Sequence, residues 1–329
     1  MKPAISVIIP HLNGRHHLDD CLPSLRRQTW RDFEVLLVDN GSTDGTQEYV
    51  AANYPEVRLI QLPQNRGFTG ACNAGWQAAQ GEIIILLNND TEADPHWLAE
   101  VMAAFDRHPR AGSIASKMLL FDRRDHLHTA GDFYRVDGIP GNRGVWQADV
   151  GQFDQEEMVF SACGGSSAYR RAMLEEIGFL DDDFFFSCED VDVGWRANLA
   201  GWEVWYAPTA VIYHKLKATG GAVTGSYYDG RNFLYLIWKN YPAGLLRQNW
   251  RLIARAQLRI TQEALQNWRG EAARARLRGQ WAGLWGVFKM WPKRKAVQAL
   301  RRLDDEALQR RLTQPPLEPR NADGRPNAG

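Results

Sequence analysis

Through the first 110 residues, short apolar runs closed by polar or glycine-rich clusters alternate with stretches of helical periodicity. Ile5 to Ile9, Phe33 to Val38, Val57 to Leu62 and the apolar part of Glu82 to Glu92 (EIIILLNNDTE) read as strands. The last is apolar on consecutive residues, the pattern of a strand covered on both faces of a parallel sheet. Leu18 to Gln28, Thr46 to Ala52 and Thr69 to Ala79 read as helices between them, and Pro95 opens another over about His96 to Asp106. This βαβαβαβ order predicts an α/β fold with a doubly wound, mostly parallel sheet over residues 4–110. Ligands of such sheets sit beyond the carboxyl ends of the strands, where this chain places Asp39 to Asp44 and Asn88, Asn89 and Asp90. The same residue types are also ordinary turn formers and helix caps.

The pattern then loosens. Residues 111–160 predict a hairpin or long loop against the sheet, with GDFYRVDGIPGNRG as its glycine-rich part. Phe160 to Ser167 reads as a strand ending in small residues, followed by a helix from Arg170 to Ile177 that Gly178 stops. Phe179 to Asp192 (FLDDDFFFSCEDVD) crowds carboxylates among aromatics, a costly arrangement unless the charges meet water, a cation or a ligand. A helix over Val191 to Ala200 puts Glu189 and Asp190 at its N-terminus. Strands at Glu203 to Tyr206 and Ala210 to Tyr213 then lead to His214. Beyond Gly230 the text becomes helical and arginine-rich, over Leu234 to Trp238, Leu245 to Gln266, Ala272 to Arg278 and Trp281 to Met290, and residues 313–329 read as a disordered tail.

Charge sharpens that division. The net charge is zero, but residues 1–230 hold 19 Lys or Arg against 32 Asp or Glu, a balance of −13, and residues 231–329 hold 20 against 7, a balance of +13. Cys21, Cys72, Cys163 and Cys188 show neither a CxxC pair nor zinc-ligand spacing, so they are expected to be buried thiols in a reducing compartment. The apolar part of the N-terminus is too short for a signal peptide, and no window reaches the length of a membrane span. These features predict a cytoplasmic protein.

Asp39, Asp44, Asp90, Glu189 and Asp190 fall on loops of one sheet edge, with His214 near them. Hard oxygen ligands plus one imidazole suit Mg²⁺ or Mn²⁺, above all where substrate phosphates complete the shell. Such an ion neutralises a departing diphosphate, and a carboxylate on another loop would deprotonate an incoming hydroxyl. Gly164 and Gly165 would admit a sugar where side chains would block it. Trp146, Trp195 and Trp202 either offer faces to a sugar ring or pack in the core. Arg196 either pairs with the acidic cluster or touches phosphate. Neither GxGxxG nor GxxxxGK[ST] is present, which argues against a dinucleotide or P-loop site.

Five segments together carry a resemblance: IIP…N at Ile8 to Asn13, VDNGSTDGT at Val38 to Thr46, NRGFTGACNAG at Asn65 to Gly75, LLNNDTE at Leu86 to Glu92, and GFLDDDFFFSCEDVDVGWRANLAGW at Gly178 to Trp202. The combination resembles glycosyltransferase family 2, with the GT-A fold, and within it the rhamnosyltransferase-type branch of bacterial cell-surface polysaccharide synthesis. The match covers about residues 4–215. It implies an inverting transfer from a nucleoside diphosphate sugar, with dTDP-rhamnose the favoured donor and a UDP-sugar the alternative. It also implies a nucleotide-sugar half over residues 1–110 and an acceptor half over 111–230, followed by a helical extension over 231–312. Pro10, Asn13, Asp39, Ser42, Asp44, Asn65, Gly67, Asn73, Asn88 and Asn89 would line the donor site, with Asp39 facing the nucleoside base. The family's DxD metal motif falls on Asn88, Asn89 and Asp90, so Asp90 alone keeps a carboxylate for the ion. Asp190 would be the general base with Glu189 beside it, and His214 a further metal or diphosphate ligand. A nucleotidyltransferase and a non-catalytic sugar- or nucleotide-binding scaffold are the alternative readings.

The basic extension matches no nucleic-acid module, and the acidic body would repel a phosphate backbone, so no nucleic-acid partner is expected. Trp281, Leu284, Trp285, Phe288 and Met290 with Lys289, Lys293, Arg294 and Lys295 predict an interfacial amphipathic stretch, within a membrane-facing region over residues 245–300. Its alternative is packing against the body or a second subunit of a homo-oligomer. A membrane-facing arm would hold the chain peripherally at the cytoplasmic face of the inner membrane and would suit a lipid-linked saccharide acceptor.

Overall fold

The computed structural model describes residues 2–215 and 221–313. The first strands and helices alternate as expected: β1 (Ile5–His11), α1 (Leu18–Arg26), β2 (Phe33–Asp39), α2 (Thr46–Asn53), β3 (Arg58–Gln61), α3 (Gly67–Ala78) and β4 (Ile83–Leu87). A short β5 (Thr91–Ala93) precedes α4 (Trp97–Arg107), then β6 (Ala111–Leu120), β7 (Leu127–Ala130), β8 (Asp132–Tyr134), β9 (Pro140–Asn142) and β10 (Glu157–Met158). The body closes with β11 (Ser166–Arg170), α5 (Arg171–Ile177), α6 (Glu189–Leu199) and β12 (Glu203–His214). The extension comprises α7 (Gly221–Asn240), α8 (Ala243–Gln266), α9 (Glu271–Trp285), α10 (Val287–Ala299) and α11 (Asp305–Arg311).

The main sheet runs β10-β12-β6-β11-β4-β1-β2-β3. β3, β2, β1 and β4 are parallel, β11 is antiparallel to both β4 and β6, and β12 is parallel to β6. Strand periodicity of two divides the apolar runs between two layers. Ile5, Val7, Ile9, Ile83, Ile85 and Leu87 pack with α1 and α4, whereas Ile8, Leu36, Val38, Ile84 and Leu86 pack with α3, α5 and α6. Both faces of the sheet are therefore covered, as the unbroken apolar run of β4 requires.

Three expectations change. β6 is buried along its whole length, although residues 111–160 read as irregular. Two of its polar residues find partners internally: Trp97 Nε1 and Ser166 Oγ bond Ser116 Oγ at 3.0 and 2.9 Å, and Lys117 Nζ reaches Asp149 and Asp154 at 2.9 and 2.8 Å. The strand expected over Phe160 to Ser167 begins only at Ser166, because Cys163 to Ser166 form a turn in which Ser166 N bonds Cys163 O at 3.0 Å. The two strands expected before His214 are one, with an irregularity between Ala207 and Val211 around Pro208. The hairpin expected in GDFYRVDGIPGNRG is β8–β9.

The boundary expected at residue 230 falls inside α7. Leu234, Leu236, Ile237, Tyr241, Ile253 and Met290 of the extension share one cluster with Tyr134, Phe160, Phe184 and Trp195 of the body. The crowded carboxylates find their cations there. Lys239 bonds Asp181 at 2.7 Å and Asp192 at 2.9 Å, while Lys289 and Lys293 each reach Asp183 at 2.6 Å. Burial opposes ionisation of Asp181, but Lys239 and Lys293 outweigh it and hold its carboxyl well below the usual range. Apart from Thr313, whose N–H bonds Tyr134 O at 2.9 Å, the tail expected over 313–329 lies outside the described residues.

Candidate active site

Parallel pairing of β1 with β2 sets His11 opposite Asp39, so both strands deliver polar side chains to the same edge. Asp39 is fully buried and accepts from Ser42 N at 3.0 Å and Gln47 Nε2 at 2.6 Å. Asn13, in the left-handed region at φ 54°, donates its N–H to Ser42 Oγ at 2.8 Å and accepts from Thr43 N at 3.0 Å. Asp44 accepts from Arg15 N at 2.9 Å and Thr46 Oγ1 at 2.6 Å, so it fastens the two loops and starts α2. Pro10 pairs with Val38 within the sheet. Asn65 accepts from Asn40 Nδ2 at 3.0 Å and Gly67 N at 2.8 Å. Gly67 has φ 76°, and a Cβ there would meet Phe185 at 2.6 Å, so glycine is required on both counts.

β4 leads into Asn88, Asn89 and Asp90. Asn88 N bonds Gly165 O at 3.0 Å, and Asn89 Nδ2 lies 2.7 Å from His11 Nδ1. Burial lowers the His11 pKa to about 4, so this imidazole is neutral at physiological pH. Asp90 Oδ1 lies 3.1 Å from His214 Nε2, and His214 Nδ1 lies 3.0 Å from His128 Nδ1. Burial lowers His128 to about 3. Among the described residues, no group of three or more His, Cys, Asp or Glu could hold a metal by itself. Asp90 and His214 supply one carboxylate and one imidazole, a set that fits a divalent ion whose remaining ligands come from substrate phosphate and water, the usual mode for Mg²⁺.

The second wall is the start of α6. Asp190 Oδ2 accepts from Gly164 N at 2.7 Å, and Oδ1 accepts from Val191 N at 2.7 Å. Gly164 and Gly165 thus join the two walls: the N–H of the first holds Asp190, and the carbonyl of the second holds Asn88. A Cβ on Gly164 would stand 3.3 Å from Glu189 and 3.4 Å from Asp190. Asp190, Glu189, Asp132, His128 and Cys163 line an open cavity of about 280 Å³, to which α7 contributes Asp229 and Phe233. Burial raises the pKa of all three carboxyls, and the Asp190 charge raises Glu189 and Asp132 further. Neighbouring buried carboxyls do not all ionise together. Two backbone N–H donors favour charge on Asp190, while Glu189 Oε2 has no partner among the described residues, so of these two neighbours Glu189 is the one that keeps its proton.

The loop before Asp190 has left-handed Phe185, Ser187 and Cys188, at φ 63°, 68° and 68°. It is held from α7. Buried Asn232 donates Nδ2 to the carbonyls of Phe184, Phe186 and Ser187 at 3.1, 2.9 and 2.6 Å. Arg231 bonds Asp183 O and Phe184 O at 2.8 and 2.6 Å, and Ser187 Oγ bonds Asp229 at 2.6 Å.

Several candidates lie elsewhere. Arg196 is buried, and its guanidinium is consumed by Asp192 at 2.9 Å and by the carbonyls of Ile177, Gly178 and Phe179, so it pairs with the acidic cluster and is closed to phosphate. Trp195 packs between Tyr134, Phe160 and Tyr241 as core, and Trp202 Nε1 bonds Glu176. Trp146 is exposed at φ 66° and does not line the cavity. Asn73 donates to Leu180 O and Asp182, tying α3 to the acidic loop. His11, Asn40, Gln47, His128, Asp132 and Asn232 join the site without belonging to the sequence candidates. Of these, His11 and Asn40 carry a positional signal, since one ends β1 and the other directly follows β2.

Residues 6–189 match the model of the family described as Glycosyl transferase family 2. The N-acetylglucosaminyl-diphospho-decaprenol L-rhamnosyltransferase of Mycobacterium tuberculosis is 31% identical over 245 residues, covering 67% of this chain and 79% of that protein. The O-antigen biosynthesis protein RfbC of Myxococcus xanthus is 31% identical over 65% of this chain and 17% of that protein. The mannosyltransferase PcManGT from Pyrobaculum calidifontis, solved with GDP-Man and Mn²⁺, is similar in fold over 94% of this chain and 87% of that chain, with a TM-score of 0.54 and 18% identity.

Proposed function

Because the chain belongs to glycosyl transferase family 2, we propose that this glycosyltransferase moves L-rhamnose from dTDP-rhamnose, with inversion, to a hydroxyl of a saccharide or lipid-linked saccharide. The observation that carries the proposal is Asp190, held by Gly164 N on the cavity wall and joined through the glycine turn to the Asn88–Asp90 wall. The rhamnose assignment draws on the mycobacterial relative, and a UDP-sugar is the alternative donor.

Asp190 takes the proton of the acceptor hydroxyl as the acceptor oxygen bonds to the anomeric carbon. The bond from that carbon to the diphosphate breaks on the opposite side, and the nucleoside diphosphate leaves with the electron pair. Asp90, backed by His214, would hold a divalent ion, Mg²⁺ or Mn²⁺, whose chemistry when bound is to neutralise charge on the diphosphate. Asp39 and its loop would seat the nucleoside. The proposed site of action is the cytoplasmic face of a membrane.

The test is release of nucleoside diphosphate from dTDP-rhamnose and from UDP-sugars, with a polyprenyl-diphosphate-linked saccharide as acceptor. Acceptor-dependent release of dTDP is expected. Turnover with a UDP-sugar alone would overturn the donor, and no acceptor-dependent release from any donor would return the chain to a binding scaffold.

A further inference from the structure

α9 packs on α7 through its smallest residues. A Cβ on Gly279 would meet Tyr227 O at 2.0 Å, one on Gly283 would meet Leu234 at 2.8 Å and Arg231 O at 2.9 Å, and one on Gly286 would meet Tyr235 at 2.0 Å. The aromatic residues are therefore on the other side. Trp281, Leu284, Trp285, Phe288 and Trp291 are 50–73% exposed, and Trp285 lies 6.0 Å from both Trp281 and Phe288. This inverts an ordinary surface helix, whose large apolar side chains face the core. A contiguous exposed patch of this kind marks an interaction surface. Met290 and Arg294, expected in that surface, are buried instead, and Lys293 is paired with Asp181 and Asp183.

From Glu271, the first residue of α9, to Leu303 there are nine Lys or Arg against a single carboxylate, the exposed Glu271 itself. Arg274, Arg278 and Lys295 are exposed along the helices that bear the ridge. We propose that the α9–α10 ridge docks on an anionic phospholipid bilayer, with the indole and phenyl rings at the head-group boundary and these cations on lipid phosphates. A second copy of the chain would set one strongly cationic face against another, nine positive residues against one carboxylate on each side. Nucleic acid would satisfy the cations and leave the ridge in water. Among the described residues no helix is long and apolar enough to cross a membrane, so the contact is with the surface. This inference does not depend on the identity of the donor sugar.

The test is co-sedimentation of the full chain with vesicles of phosphatidylcholine alone and of phosphatidylcholine with phosphatidylglycerol. Binding is expected to favour the anionic vesicles by about tenfold or more. Trp281→Ala/Trp285→Ala/Phe288→Ala should weaken it by about tenfold or more at an unchanged melting temperature. Arg274→Gln/Arg278→Gln/Lys295→Gln should remove the anionic preference. Equal or absent binding to the two vesicle types would overturn the proposal. So would undiminished binding by the folded aromatic variant, or a ridge-dependent dimer or RNA complex in place of vesicle binding.

Discussion

The two walls of the cleft are built differently. On the side proposed for the donor, Asn13, Ser42, Asp44 and Asn65 bond backbone within their own or adjoining loops, and each loop follows directly from a strand of one parallel sheet. On the side of the proposed base, Asp190 depends on Gly164, on a cavity lined by Asp132, and on a loop pinned from α7 some forty residues later. The loops after β1, β2 and β3 proposed to seat the nucleotide are local and self-supporting, whereas the wall that carries Asp190 is assembled from distant segments. Damage to the second should therefore impair turnover while leaving nucleotide binding intact.

The largest expected effect is that of Asp190→Asn, which should lower kcat by on the order of 10²–10⁴-fold with little change in nucleoside diphosphate affinity by calorimetry. A parallel loss of affinity would erase the distinction between the walls. At the proposed metal site, His214→Ala removes the partner of Asp90 and should weaken divalent-ion affinity about 10–100-fold, read from the metal dependence of activity. Asn232→Ala removes the donor of the Phe186 and Ser187 carbonyls and should cost about 1–3 kcal/mol of stability by denaturant unfolding. Its kcat should fall more than its donor KM rises, and Asn232→Asp, which lacks the N–H donors, should behave no better.

The smallest effect is in pH dependence. Burial raises Asp190, and as the proposed base it must be ionised, so the acid limb of kcat/KM should lie above the ordinary aspartate value of about 3.9. Activity should rise with pH through that limb. A limb at or below the ordinary value would contradict a desolvated base.

The same contrast explains what the sequence makes legible. Asp39, Asp90 and Asp190 stand at strand ends or a helix start, so hydrophobic periodicity alone places them on one edge. Asp132, His128 and Asn232 lack such punctuation. Asp132 opens a three-residue strand, and Asn232 lies in the middle of a helix, where an asparagine usually means a solvated face. Their placement depends on tertiary packing between segments far apart in sequence. β6 is obscured for a related reason: Ser113, Ser116 and Lys117 interrupt its apolar run, and two of these three find side-chain partners only in the folded chain.

The left-handed run at Phe185, Ser187 and Cys188 bears on how this enzyme can be engineered. Non-glycine residues in that region cost about 1–2 kcal/mol each, and here α7 supplies the restraint. A minimal enzyme cut to the segment that matches the family would lack both Asp190 and its restraint. Grafting specificity between relatives would have to carry α7 along with the loop, because the exchangeable unit is the pair.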